Sequence, residues 1–385
     1  MQWKLIVAVL TLETLIASAS YTMLLPFLSL FLKEELGVAD TELKMWTGMV
    51  FSISFLASVL TATYWGKLAD RYGTRIMVLR ANIGMALVYM LCSIVKSPEQ
   101  LLIARAIHGV VAGVVPVFLT VCAAVVPVEQ LGVSMGFINS AQTAGQVLGP
   151  LFGGFLAATL SMRQSFFWAG VMLLAATAAY VYVVPDTKNK GKSKEQVQVS
   201  LLRQDFVLQI LLAATLAKML QLLVQSMLSL YVKELTASDI MFWSSVTFAA
   251  LGGSCALTSP LWGSLGQRIG YSKAFIYSCL SAGAALLLCP LTYDPLSLTL
   301  VIFVFGLGFA GMLPLTQVML SRAIAKEQQG LAFGYNFCFQ QIGSTIGPLL
   351  GGGLGLLLPM SCVFCGAGAC MLLCGGIFFW KLKKA

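Results

Sequence analysis

Residues 136–154 read GFINSAQTAGQVLGPLFGG, and residues 334–352 read GYNFCFQQIGSTIGPLLGG. The two stretches place their glycines and a Gly-Pro pair at the same spacing, and neither contains a charged side chain. Glycines at this spacing let two helix backbones approach closely inside a membrane, and the proline bends its helix. The repeat therefore predicts a chain built from two similar membrane-spanning halves, as in secondary transporters.

The composition is that of an integral membrane protein. Of the 385 residues, 58% are hydrophobic and only 10% are charged, whereas a soluble domain has about 25% charged residues. The apolar run at residues 5–32 is too long for the core of a signal peptide and ends in no small-residue cleavage site. We therefore expect it to be retained as a first membrane span.

The net charge of +9 reflects orientation in the membrane, and we expect no nucleic-acid partner. With a cytoplasmic N-terminus, most lysines and arginines at the span ends lie on the cytoplasmic side, as the positive-inside rule requires. The span-end cations left outside are Lys33, Lys44, Lys96, Arg163 and Lys233. We therefore predict a multi-pass protein with both termini in the cytoplasm.

Apolar segments of helical length predict twelve spans. They lie at residues 5–32, 44–66, 75–95, 99–125, 131–159, 164–184, 204–232, 241–264, 272–290, 296–322, 330–357 and 360–380. The most polar segment, 185–203, predicts a cytoplasmic linker between an N-terminal six-helix bundle (1–184) and a C-terminal six-helix bundle (204–385).

The two halves repeat in the same orientation, since Trp65-Gly66 reappears as Trp262-Gly263 and Arg71 as Arg268. We predict an all-α membrane protein with twelve transmembrane helices in two pseudo-symmetric six-helix bundles around a central cavity.

Ionisable side chains inside predicted spans are energetically unfavourable and usually face a cavity or a partner. Glu13 lies in the first span, and it is our first candidate for a proton carrier because an embedded carboxyl group can alternate between protonated and charged forms. The alternative is a side chain that reaches the inner interface. Lys218, in the seventh span, can pair with Glu13, attract an anionic substrate or lie buried near a carbonyl.

His108 is the only histidine and lies one helical turn from Arg105 in the fourth span. It can carry a proton, and a hydrogen-bonded packing role is equally compatible with its position.

Polar, aromatic and methionine side chains in other spans suit a cavity for amphipathic compounds. These candidates are Tyr21, Met23, Phe27, Gln142, Gln146, Gln221, Gln225, Gln317, Asn336, Gln340 and Gln341, with Lys218.

No motif points to a cofactor, a metal or an enzyme. The chain has no nucleotide-binding loop and no nucleophile–base set, so we expect no enzymatic activity and a proton gradient as the energy source. At about 100° per residue, Cys362, Cys365, Cys370 and Cys374 point in scattered directions around one helix. We interpret these cysteines as packing residues.

Residues 66–75 read GKLADRYGTR. This loop resembles the hallmark of the major facilitator superfamily, Gly-x-Leu-Ala-Asp-Arg-x-Gly-Arg-Arg, and departs from it at Thr74. The resemblance implies that Asp70 and Arg71, with Gly66, Gly73 and Arg75, form a conformational latch between transport states. The alternative is a tight charged turn that orients the protein, and both can hold together.

Two further motifs are similar to patterns of this family. Arg105 to Gly109 resembles its Arg-x-x-x-Gly pattern, which implies that Arg105 takes part in proton coupling, alongside the candidate carriers Glu13 and His108. The repeated glycine pattern resembles the family's antiporter signature, which accompanies export. It comprises Gly145, Gly149, Pro150, Gly153, Gly154, Gly343, Gly347, Pro348, Gly351 and Gly352.

Residues 45–55, with Leu25-Pro26-Phe27, look like the MdtG-like branch of bacterial multidrug exporters. The resemblance implies a monomeric, proton-coupled antiporter of the bacterial inner membrane. It would export small amphipathic compounds by alternating access and contribute to antibiotic resistance, with protons, substrate and lipid as its partners. The alternatives are a specific exporter or importer of an anionic metabolite, siderophore or sugar derivative, and a non-transporting membrane receptor.

Overall fold

The structure is a computed structural model of the chain. It describes residues 2–23, 25–113, 117–118, 121–122, 125–184, 205–236, 238–324 and 329–384, so the predicted linker at 185–203 lies outside it. The chain divides into two compact units. The first contains Met1–Val38 and Ile53–Ser193, and the second contains Ala39–Ser52 and Lys194–Ala385.

The described residues form helices and no strand, which confirms the predicted all-α class. In the first half of the chain the helices are α1 (Gln2–Thr22), α2 (Asp40–Tyr72), α3 (Thr74–Ile94), α4 (Pro98–Val111), α5 (Val128–Thr159) and α6 (Met162–Val183). In the second half they are α7 (Asp205–Leu235), α8 (Ile240–Ile269), α9 (Tyr271–Leu286), α10 (Pro295–Phe309), α11 (Met312–Ala323), α12 (Gln329–Leu357) and α13 (Met360–Lys384).

Nine helical stretches in the described part of the chain are long and apolar enough to cross a membrane. Helices α5 and α12, which carry the repeated glycine pattern, are not among the nine. Their glycines, prolines and amide side chains lower the mean hydropathy, although both helices are as long as the others.

Three predicted spans are interrupted. The tenth, predicted at 296–322, is divided between α10, which ends at Phe309, and α11, which begins at Met312. The first span ends as α-helix at Thr22, before Pro26, whose ring nitrogen carries no hydrogen for the helical ladder. Short 3-10, α-helical and π-helical turns follow, up to Glu35. The fourth span is interrupted after Val111, because Ala112 adopts an extended backbone and Gly113 has φ of 111°, whereas the described residues 117–118, 121–122 and 125 are helical again.

The glycine pattern brings helix backbones together in each unit. In the first unit, a Cβ atom on Gly145 or Gly149 would lie 2.5 Å from Leu15 O or 2.6 Å from Ala19 O, both on α1. In the second unit, Gly343 and Gly347 of α12 meet carbonyls of α7 in the same way. Only a residue without a side chain permits this approach, so the repeated motif builds the pairs α1–α5 and α7–α12.

Each unit contains an equivalent hydrogen bond from a tryptophan side chain to a backbone carbonyl. Trp65 Nε1 donates to Val110 O at 2.6 Å, and Trp262 Nε1 donates to Leu307 O at 2.7 Å. The two tryptophans and the two acceptors are each separated by the same number of residues, which supports the alignment of the halves. In the first unit, the Arg80 guanidinium carbon lies 3.5 Å from the centroid of the Trp65 ring.

Ion pairs join the beginning of α2 to the end of α7 within the second unit. Lys44 Nζ lies 3.1 Å from Glu234 Oε1, and Lys233 Nζ lies 2.9 Å from Asp40 Oδ1. A Cβ atom on Gly352 of α12 would lie 2.5 Å from Lys44 O. The first turns of α2 are therefore held by both charge pairing and close backbone contact.

We expect Gly149→Ala to lower the melting temperature of the purified protein. The added methyl group would press on Ala19 O of α1, and overpacking of this kind costs about 1–3 kcal/mol. Gly136→Ala is the matched control, because a Cβ atom there meets nothing within 4 Å. Thermal unfolding in detergent compares the two variants, and equal melting temperatures would contradict close α1–α5 packing.

Candidate functional site

Glu13 is buried in the first unit, with 1% of its surface exposed. Helix α1 carries it, and its Oε2 atom accepts a hydrogen bond from Asn82 Nδ2 of α3 at 2.9 Å. Its Oε1 atom is buried and has no hydrogen-bond partner among the described residues. The carboxyl group therefore lies inside the helical unit and does not extend to the exposed end of α1.

Arg105 and His108 lie one turn apart on α4, and both are buried. The His108 ring lies between two tyrosines: its centroid is 5.9 Å from that of Tyr21 and 5.3 Å from that of Tyr89. His108 Nε2 is 3.2 Å from Tyr89 Oη, and the Arg105 guanidinium carbon lies 5.9 Å from the Tyr21 ring centroid. We call these four residues the tyrosine–histidine cluster.

The described residues contain no ion pair between Glu13 and Arg105. On α1, Tyr21 is eight residues beyond Glu13, which corresponds to about 12 Å along a helix. The three residues predicted for proton coupling therefore occupy two places in the same unit, Glu13 with Asn82 and Arg105 with His108.

Lys218 lies on α7 in the second unit. Its Nζ atom donates to Gln221 Oε1 at 3.0 Å, and no described carboxylate lies within ion-pair distance of it. Lys218 is half-buried, and the thiol of Cys255 on α8 is close enough to interact with it electrostatically. The Lys218 ammonium group is therefore a half-buried, sheltered cation, and its described partners, Gln221 and Cys255, are neutral.

The other predicted cavity residues differ in exposure. Met23 and Phe27 are buried, and so is Asn336, whose Oδ1 atom has no hydrogen-bond partner among the described residues. Half-buried residues are Tyr21, Gln142, Gln221, Gln225, Gln340 and Gln341. Gln146 and Gln317 are exposed.

A cavity of about 560 Å³ lies between α1 and α5 in the first unit. Its lining includes Trp3, Val7, Leu12 and Phe137, with Lys4 as its one lysine. None of the residues predicted for the substrate cavity lines this cavity between α1 and α5, so the sequence analysis did not predict it.

The predicted latch surrounds the turn between α2 and α3. Gly73 has φ of 86° there, and Gly270 has φ of 94° at the equivalent turn between α8 and α9. Glycine adopts such angles without strain. Arg75 Nη2 donates to Val181 O of α6 at 2.8 Å. Helix α2 includes Gly66, Asp70 and Arg71, whose side chains lie outside the described part of the structure.

Asn82 and Tyr89 are the site residues that the sequence analysis missed. Both are fully buried on α3, a helix for which Arg75 of the latch was the one predicted site residue. The available signal was weak: Asn82 is the one amide side chain in α3. Among the described residues, no group of three or more His, Cys, Asp and Glu side chains could hold a metal ion.

Comparisons with known proteins agree with this architecture. The model of the Major Facilitator Superfamily matches residues 10–257 and 210–385. The chain is 32% identical to the multidrug resistance protein MdtG of Salmonella heidelberg over 98% of this chain and 95% of the relative. MdtG of Salmonella typhimurium is similar to the same extent.

Solved transporter structures share the fold. A bacterial homologue of the human lysosomal transporter Spinster aligns with a TM-score of 0.83 and 12% identity, covering 98% of this chain and 96% of the other. The peptide transporter POT aligns with a TM-score of 0.81 and 13% identity, covering 98% and 94%. The predicted family is thus confirmed: the chain belongs to the major facilitator superfamily and is a multi-pass membrane transporter, not an enzyme.

Proposed function

We propose that the protein exports small amphipathic compounds in exchange for protons, by alternating access, across a bacterial inner membrane. Relatives that are 32% identical over nearly the whole chain are named multidrug resistance proteins. The glycine patterns of α5 and α12, both of which pack on a neighbouring helix, resemble those of antiporters. These observations favour export over uptake.

Glu13 is the observation that carries the proposal of proton coupling. Its carboxyl group is buried, is bonded to a neutral amide and forms no ion pair with a described cation. A carboxylate that is paired with a cation is held in its charged form, whereas an unpaired buried one can change its protonation state. Proton binding would neutralise the Glu13 carboxylate and shift the equilibrium between the two transport states.

Lys4 and the C-terminal Lys381, Lys383 and Lys384 support a cytoplasmic position for both termini. The Salmonella relatives support a bacterial inner membrane. We further propose that the transporter is a monomer and that it needs no cofactor besides the proton gradient.

A second candidate function is export or import of anionic compounds. Lys218 favours it, because this sheltered cation has Gln221 as its hydrogen-bond partner and no described carboxylate in ion-pair distance. An anionic group of a substrate would supply the missing counter-charge. The two candidates differ in the compounds that the protein carries, and they share the same fold.

We expect Glu13→Gln to abolish substrate-dependent proton flux in liposomes while leaving the melting temperature close to that of the unchanged protein. Glutamine keeps the shape and the bond with Asn82 but cannot carry a proton. The measurement uses a pH-sensitive dye inside liposomes and a panel of amphipathic compounds. His108→Gln is tested in parallel, since His108 is the other candidate carrier.

Normal flux in Glu13→Gln, with flux lost in His108→Gln, would assign the carrier role to His108 instead. Normal flux in both variants would overturn the proposal that either group couples transport to protons.

We expect Lys218→Gln to reduce transport of anionic compounds about tenfold, which corresponds to about 1.4 kcal/mol of lost binding. Transport of neutral and cationic compounds should change less. Lys273→Gln is the control, because Lys273 is exposed at the start of α9. Equal losses for all compounds would contradict an anion-binding role for Lys218.

A further inference from the structure

Asn82 and Glu13 form an isolated polar pair between two helices of the first unit. Asn82 is 0% exposed and Glu13 is 1% exposed. Their single hydrogen bond, Nδ2 to Oε2 at 2.9 Å, joins α3 to α1 across 69 residues of sequence. The pair therefore lies where water does not readily replace a lost hydrogen bond.

Each member of the pair also has one unsatisfied oxygen. Glu13 Oε1 and Asn82 Oδ1 are both buried, and neither has a hydrogen-bond partner among the described residues. Both atoms are acceptors when Glu13 is charged, so neither can satisfy the other. A proton on Oε1 changes this, because a carboxylic acid offers one donor and one acceptor and a primary amide offers the complementary two.

The charged and titratable groups around this pair do not supply an alternative partner. On the helices nearest to Glu13 they are Lys4 and Tyr21 of α1, Arg75, Arg80, Tyr89 and Cys92 of α3, Glu99, Arg105 and His108 of α4, and Arg163, Tyr180 and Tyr182 of α6. Glu129 of α5 lies outside the described side chains. Arg75 donates to Val181 O, and Arg163 pairs with Glu35 at 2.7 Å. No described cation lies within ion-pair distance of Glu13.

We propose that Asn82 is a positioning residue that holds Glu13 in both of its protonation states. Its Nδ2 donates to the carboxylate, and its Oδ1 accepts a hydrogen bond from the O–H group of the carboxylic acid, so the protonated pair is doubly hydrogen-bonded. The inference rests on the proposed role of Glu13 as proton carrier. It adds that protonation of Glu13 on α1 changes the contact with α3, because the number of hydrogen bonds between Glu13 and Asn82 rises from one to two.

A purely structural Asn82 would act differently. It would tether α3 to α1 through the one bond to the charged carboxylate, and that bond would break when Glu13 is protonated. Its removal would then weaken the unit without changing the surroundings of the protonated acid. The two roles therefore differ in what happens to the carbonyl group of protonated Glu13, which infrared spectroscopy observes directly.

The test is pH-difference infrared spectroscopy of the full-length transporter in liposomes, with proton-driven export measured on the same samples. The unchanged protein should show a carboxylic-acid carbonyl band that Glu13→Gln removes. In Asn82→Leu the band should persist and move to higher frequency, because the acid carbonyl loses its hydrogen-bond donor. Export should fall at least tenfold in Asn82→Leu, and its pH profile should be displaced.

Thr177→Val is the matched control for the loss of a buried polar group in the same unit. Thr177 is buried on α6, and its hydroxyl donates to Leu173 O of its own helix at 2.7 Å. This variant should keep the band, its frequency and the pH profile of export. If Asn82→Leu does not fold, Asn82→Ser replaces it, because serine is too short to form both bonds and should shift the band in the same direction.

The possible failures are distinguishable. If Glu13→Gln removes the band and the proton flux but Asn82→Leu or Asn82→Ser leaves frequency and pH profile unchanged, Asn82 does not position the proton, and the proposed function stands. If Glu13→Gln leaves both band and flux unchanged, the proposed proton carrier is wrong, and the role of Asn82 falls with it.

Discussion

Close contact between glycine faces and helix carbonyls is the constraint on which each unit depends. Gly145 and Gly149 bring α5 against α1, and Gly343 and Gly347 bring α12 against α7. Lipid tails are as apolar as leucine side chains, so the hydrophobic effect gives membrane helices little reason to associate. Close backbone packing supplies the attraction instead, and it requires positions without side chains. The two copies of the motif therefore set the same helix pairing in both units.

The units share packing and differ in polar chemistry. Trp65 and Trp262 donate to equivalent carbonyls, and Gly73 and Gly270 make equivalent turns. The buried carboxyl group, the histidine and the buried arginine all lie in the first unit, whereas the sheltered lysine lies in the second. A duplicated scaffold has thus kept its backbone contacts while its ionisable groups diverged. This asymmetry is compatible with the proposed exchange, in which Glu13 of the first unit carries the proton and Lys218 of the second binds an anionic substrate.

Buried polar atoms without partners occur at both places that hold the residues proposed for proton coupling. Glu13 Oε1, Asn82 Oδ1, Arg105 Nε and His108 Nδ1 are each buried without a hydrogen-bond partner among the described residues. Such atoms are unfavourable in a protein interior, and natural proteins keep them mainly where function uses them. A proton would satisfy Glu13 Oε1, whereas Arg105 Nε, which is a donor, needs an acceptor such as a water molecule.

The sequence by itself determined the helical class, the repeat and the family. Composition, apolar segments and glycine spacing are local properties, and each follows from what a bilayer demands of a backbone. It also indicated Glu13, Arg105, His108 and Lys218 as candidate site residues, because ionisable side chains are conspicuous in an apolar segment. Only the tertiary structure decided which groups meet. Asn82 is distant from Glu13 in sequence, and a neutral amide gives no sign of its partner until two helices pack side by side. The end of α4 at Val111 is likewise set by the backbone angles of Ala112 and Gly113, which an apolar pattern does not encode.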